Sequence, residues 1–280
     1  MSKNSGKGRR FRQIRLPVVA AIVQDKGGEG KSLLAQTAAE WARIMGMHCS
    51  VVEVDTTGTS LKILGDEVVN IAIDAKTVRH DPAAAMRALT PLYATIERAC
   101  KARGLTVVEF GANEAARGAL WAGMIDLQDE IKDLGAEVLV LMPFTRQAEA
   151  MRRGAKSAEA FLKVLPNAHL ILVENERDGC VADLHPASDA IKVYNEVIAP
   201  LAAKATTIRM PMIEAGSWSP FEAAGIRLVD AVTMTVSKVM LLTGLPLPEA
   251  KIIRGDVAAW TGTMFTEFEK LISINEPDNG

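Results

Sequence analysis

The chain has 280 residues, of which 49% are hydrophobic and 24% charged. That is enough apolar material for the core of one large domain or two small ones. A formal net charge of −2 excludes a general attraction to nucleic acid, so any such binding needs a local basic patch.

Cys49, Cys100 and Cys180 are far apart and form no CxxC pair, and His48, His80, His169 and His185 show no ligand spacing. Reduced thiols in a cytosol, and no transition-metal site, are the expectation. No apolar run approaches the ~20 residues of a membrane span, and the N-terminus lacks the apolar stretch of a secretory signal. A cytoplasmic protein without stable membrane insertion is therefore expected.

Residues 1–15 hold Lys3, Lys7, Arg9, Arg10, Arg12 and Arg15 and no acid. They read as a flexible basic tail, or as a weak anchor for nucleic acid or anionic lipid. Residues 17–23 are an apolar run ending in glycine-rich punctuation, which predicts a strand. Over residues 31–46, Leu34, Ala38, Trp41, Ala42 and Met45 fall on one helical face, and Gly46 fits the stop. Strands follow at 49–54 and, more weakly, at 68–73. Then come a helix at 82–103, a strand at 105–110, a helix at 114–134 and a strand at 137–142. A helix at 147–165, a strand at 169–173, a helix at 186–204 and a strand at 206–210 complete the alternation. After Pro211 the pattern turns helical, at 221–243 and 249–272. Repeated β–α units with buried strands imply an α/β fold of three layers, a mostly parallel sheet with helices on both faces and a helical C-terminal end. One domain over residues 16–275 is expected, with a frayed tail at 276–280.

The central feature is Gln24-Asp25-Lys26-Gly27-Gly28-Glu29-Gly30-Lys31-Ser32, between a predicted strand and a predicted helix. Glycines let main-chain N–H groups converge on phosphate oxygens, and the helix start adds its positive dipole end. Lys31 is then placed for the β- and γ-phosphates, and the Ser32 hydroxyl for Mg²⁺. Asp25 occupies the first glycine position of GxxxxGK[ST], so the strict pattern is not met. The tighter run Lys-Gly-Gly-x-Gly-Lys-Ser resembles the deviant Walker A motif of the ParA/MinD family of P-loop ATPases.

That resemblance spans residues 17–245 and is strongest over 24–32. It implies a P-loop ATPase that binds ATP and Mg²⁺ and forms an ATP-dependent homodimer, with Lys26 reaching the phosphates of the partner's nucleotide. Lys26, Gly27, Gly28, Glu29, Gly30, Lys31, Ser32 and Leu33 are the expected nucleotide contacts on the loop. Glu29 departs from the family, which usually has a small apolar residue there, and is expected to face solvent or the partner subunit. Asp55, after the strand 49–54, matches the acid that orients the attacking water and assists Mg²⁺, with Glu53 where an aspartate usually stands. Glu109 matches the Walker B acid, again in place of aspartate. The expected metal site is Ser32, Asp55 and Glu109, and the expected catalytic pair is Lys26 and Asp55. Asn175 at the end of the strand 169–173 is the candidate reader of the adenine edge, and Pro211 the candidate turn beside the base. Gly111-Ala112 after Glu109 resembles ParA-like proteins of plasmid conjugation and partition regions.

Trp260, Met264, Phe268 and Leu271 lie at helical spacing beside Glu249, Asp256, Glu267 and Glu269, which reads as a core-packing stripe rather than a basic membrane-binding face. Arg152, Arg153 and Lys156 form a small basic cluster, a solvated surface or a contact for DNA or a partner. The expected function is an ATP-dependent dimerisation switch with slow Mg²⁺-dependent hydrolysis. Such a switch would position or segregate DNA or a conjugation or secretion complex through a protein partner or cargo. A nucleotide-binding scaffold with little hydrolysis is the alternative, and a small-molecule kinase or ligase the third reading.

Overall fold

The structure is a computed structural model that describes residues 13–73 and 75–273. Most of the expected tail at 1–15, and all of 276–280, lie outside the described residues. Among the described residues there are nine strands: β1 (Ile14–Arg15), β2 (Val18–Ile22), β3 (Cys49–Val54), β4 (Val68–Asn70), β5 (Leu105–Phe110), β6 (Glu137–Phe144), β7 (His169–Asn175), β8 (Thr206–Met210) and β9 (Ile272–Ser273). Seven of them form one sheet in the order β4-β3-β5-β2-β6-β7-β8. Every pairing in it is parallel; Ala20 of β2, for example, faces Val107 of β5 on one side and Leu139 of β6 on the other.

Residues 14 and 15, within the stretch read as tail, form β1 and pair with β9. Gln13 Nε2 also donates to the Glu269 carbonyl at 2.7 Å, so the two ends of the described chain meet.

The central strand shows why the sheet is covered on both faces. Val18, Ala20 and Ile22 point into one hydrophobic cluster, and Val19, Ala21 and Val23 into the other. Side chains alternate along a strand, so an apolar run with period two on each face needs cover on both. On the first face lie the helix Lys31–Ile44, through Leu34, Ala38 and Trp41, and the long helix Leu247–Leu271. Trp260, Met264, Phe268 and Leu271 are all buried there, and Phe268 stacks on Trp41 with ring centroids 5.6 Å apart. The opposite face carries Thr90–Lys101, Ala115–Met124 and Ala148–Val164.

Several expected helices are shorter pieces. The stretch 82–103 divides into Pro82–Arg87 and Thr90–Lys101, because Pro91 fits the first turn of a helix and not its interior. The stretch 114–134 breaks at Asp126, whose φ of 50° is left-handed. In 186–204 a π-helical turn at Tyr194–Ile198 precedes Pro200, whose ring would clash with the carbonyl four residues back. The stretch 221–243 is three pieces, Ser219–Ala223, Leu228–Thr233 and Val236–Thr243, the last capped by Thr235. The weak strand 68–73 pairs over Val68–Asn70 alone.

From β2 the chain moves to β3 on one side, and from β6 to β7 on the other, so the strand order reverses at β2. The carboxyl end of such a strand is where parallel α/β folds open a crevice.

Candidate nucleotide site

The glycine-rich loop sits in that crevice. Gln24, fully buried, anchors its start: Nε2 donates to the carbonyls of Pro143 (2.8 Å) and Ala150 (3.1 Å), and Oε1 accepts from Lys26 N at 3.1 Å. Asp25, at the first glycine position of the strict GxxxxGK[ST] pattern, accepts the Ala115 N–H at 3.2 Å, which joins the loop to the start of the helix Ala115–Met124. Gly30 has φ 87°, and a Cβ there would stand 2.6 Å from Met210 Cε and 2.7 Å from Asn175 Nδ2. Only glycine meets both demands. The helix begins at Lys31, directly after this turn.

A cavity of about 640 Å³ opens above the loop. That is the volume range of a small-molecule site. Gly27, Gly28, Gly30, Lys31, Ser32 and Leu33 line the cavity together with Asp55 and Glu109, and so do Asn175, Met210, Pro211, Trp218 and Trp260. The sequence-predicted residues from the loop, the two acidic strand ends and the base-reading candidates therefore converge on one space. Lys26 and Glu29 are the exceptions and do not line it.

Lys31 is 7% exposed, and its Nζ donates to the Lys26 carbonyl at 3.0 Å. Burial lowers its pKa, while Glu109, Asp55, Glu29 and Asp25 act to keep it charged. Ser32 Oγ donates to Glu109 Oε1, and Ser60 Oγ donates to Glu109 Oε2 at 2.7 Å. Asp55 is half-buried at the rim, and its Oδ1 accepts the Thr57 N–H at 2.9 Å. Gly111 lets this carboxylate lie flat on the loop after β5: a Cβ would be 2.3 Å from Asp55 Oδ2.

Glu53 is placed elsewhere. It is fully buried and accepts the N–H groups of Ser60 (2.9 Å) and Leu61 (3.0 Å), capping the helix Thr59–Leu64, and also takes Asn70 Nδ2 at 3.3 Å. Glu29 corrects an expectation. It does not face solvent but is fully buried, paired with Lys26 Nζ and accepting the Thr145 N–H at 3.2 Å. Asn175 donates Nδ2 to the Glu29 carbonyl at 3.1 Å and accepts the Arg177 N–H at 3.0 Å. Pro211 is fixed by Trp260 Nε1, which donates to its carbonyl at 2.6 Å.

Arg177 was not singled out from sequence. It lines the cavity, donates NH1 to the Gly28 carbonyl, and is held by Asp178 at 3.0 and 2.9 Å. Gln147 Nε2 donates to the same Asp178 carboxylate at 2.9 Å, and the Arg177 guanidinium holds its pKa down to about 2. An arginine two residues beyond a strand end carries no motif of its own. The basic cluster noted at 152–156 is partly neutralised, Arg153 by Glu149 at 2.6 Å and Arg152 by Asp189 at 3.5 Å.

The donor set near Ser32 consists of hard oxygens, which suits Mg²⁺. Among the described residues no three His, Cys, Asp or Glu side chains converge as a metal cage, so a cation here depends on ligand oxygens as well. Burial raises the Glu109 pKa, against the lowering effect of the two serine hydrogen bonds and Lys31. A carboxyl with a raised folded pKa supports the fold fully below the ordinary carboxylate range and loses that support as pH rises through the folded value. Glu109→Gln, which can keep both serine contacts, is therefore expected to raise the melting temperature of the nucleotide-free protein at neutral pH. In acid the gain vanishes; melting temperatures at the two pH values check this.

No family model matches the chain, and no curated protein matches it. Among solved structures it is similar to the MinC:MinD cell division protein complex of Aquifex aeolicus, at 16% identity over 87% of this chain and 95% of that one, TM-score 0.43. It is similar to the Aquifex aeolicus MinD cell division protein at 15% identity over 87% and 97%, TM-score 0.44. It is also similar to apo McdA of Cyanthece at 11% identity over 86% and 98%, TM-score 0.44. Among the described residues no helix is long and apolar enough to cross a membrane. The chain has a parallel α/β sheet of the P-loop type, with a glycine-rich loop after its central strand and the acids Asp55 and Glu109 lining the same cavity, and the loop sequence resembles the ParA/MinD type.

Proposed function

We propose that the chain is an ATP-dependent switch: Mg²⁺-ATP binds in the cavity, two subunits associate, and slow hydrolysis separates them. The observation that carries this is the convergence of Lys31 and Ser32 with Asp55 and Glu109 on one cavity after the central strand, which Met210, Pro211, Trp218 and Trp260 also line. The loop amides and the Lys31 ammonium would take the phosphates. Ser32, Asp55 and Glu109 would hold Mg²⁺, which when bound neutralises phosphate charge. Asp55, half-buried beside the loop, would orient a water for attack on the γ-phosphorus, releasing ADP and phosphate. Asn175 and Pro211 would border the base. In the ParA/MinD reading Lys26 acts on the partner's nucleotide, and the output is the positioning of DNA or of a conjugation or secretion complex through a protein partner.

Light scattering on a sizing column with ATP, with ADP and without nucleotide tests the switch. A dimer with ATP alone, lost in Lys26→Ala, is the expected result; a monomer in all three conditions contradicts it. The second reading, a scaffold that binds nucleotide with little hydrolysis, is favoured by Glu109, which is buried and held by two serines. Phosphate release that Asp55→Asn abolishes decides against it.

A further inference from the structure

Glu29 is a carboxylate in the middle of an anion-binding loop, where negative charge opposes the ligand. It is nevertheless 0% exposed. One oxygen, Oε1, takes the Lys26 ammonium, and the other, Oε2, accepts the Thr145 N–H at 3.2 Å from the segment after β6. Its main chain is fixed as well, because Asn175 Nδ2 donates to the Glu29 carbonyl at 3.1 Å. The lysine is the looser member of the pair, with 24% of its side chain exposed. Lys31 lines the cavity and Lys26 does not.

We propose that Glu29 is a positioning residue that keeps the Lys26 ammonium out of the cavity and so sets how readily the loop engages a polyphosphate. This rests on the reading of the cavity as a nucleotide site. Physically, a polyphosphate competes with Glu29 for Lys26. When Lys26 leaves, Glu29 stays buried with the Thr145 N–H as its remaining hydrogen-bond partner and only the longer-range fields of Lys31 and Arg177 to offset its charge, which is costly. Lys26 therefore moves only when the incoming anion offers comparable stabilisation. The same carboxylate acts on Lys31, so Glu29 also damps the positive potential of the loop.

The test is a double-mutant cycle of Glu29→Gln and Lys26→Ala, read as affinity for ATP and for tripolyphosphate. Glutamine can keep the Thr145 N–H contact but offers no counter-charge. Glu29→Gln is expected to tighten both ligands by about tenfold, the scale of one charge-assisted contact. In the Lys26→Ala background most of that gain should vanish. As a second readout, chemical modification of the Lys26 amine without nucleotide, followed by mass spectrometry, should speed up several-fold in Glu29→Gln. If Glu29→Gln does not fold cooperatively, Glu29→Asp, which draws the carboxylate back by one methylene, should give smaller changes of the same sign. An equal gain with and without Lys26 overturns the proposal, since Glu29 would then act by its field alone. Unchanged affinity and unchanged Lys26 reactivity also overturn it. If the unaltered protein binds neither ligand, the nucleotide reading fails, while the modification rate still judges the pair of Glu29 and Lys26.

Discussion

Lys31→Ala is expected to weaken Mg²⁺-ATP binding by about 100-fold, on the basis of ~1.5–3 kcal/mol for a hydrogen bond to a charged group and 1.4 kcal/mol per tenfold. Lys31 is the buried cation of the loop, and its Nζ already sits on a loop carbonyl at 3.0 Å. Glu109, Asp55, Glu29 and Asp25 all act on it. Alanine would leave those carboxylates facing an incoming polyanion without their counter-charge. The sheet and both hydrophobic clusters do not use the ammonium, so a cooperative melt should persist. Calorimetry beside a thermal melt checks both halves; an affinity within about threefold of wild type contradicts the assignment, because a single neutral hydrogen bond is worth that little.

Asp55→Asn should slow turnover far more than it weakens Mg²⁺-ATP binding. The amide can still accept the Thr57 N–H that Asp55 accepts at 2.9 Å, and it fits beside Gly111 as the carboxylate does. What it lacks is the charge that orients and polarises a water. Loss of such a group reduces the rate by about 100-fold or more. Steady-state phosphate release should fall by that factor while the ATP affinity changes only a few-fold. A loss of affinity with unchanged turnover at saturation would place Asp55 in ground-state binding instead.

The fold was largely legible because strand and helix periods alternate cleanly. Val18 to Ile22 read as a two-sided buried strand, and Trp260, Met264, Phe268 and Leu271 as a packing stripe; both are buried in the two-cluster core. Helix breaks were less legible. Asp126 in a left-handed conformation and the widened turn before Pro200 depend on tertiary packing, which local propensity does not report. In the site, glycines and lysines announced the loop, and strand ends announced Asp55 and Glu109. Partnerships were hidden. Asp25 reaching Ala115, Glu53 capping Thr59–Leu64 and Arg177 reaching Gly28 join residues far apart in sequence, and no spacing rule encodes them. Glu29 misled for a related reason. An acid in a glycine loop suggests solvent, but the Thr145 amide and the Lys26 ammonium satisfy it inside.

The most direct measurement is calorimetric titration of the unaltered chain with Mg²⁺-ATP, followed by displacement with tripolyphosphate. A single saturable site, with the triphosphate competing for it, is the predicted result. Absence of binding heat and of any displacement, by a protein that melts cooperatively, would contradict the claim that the loop after β2 is a phosphate cradle.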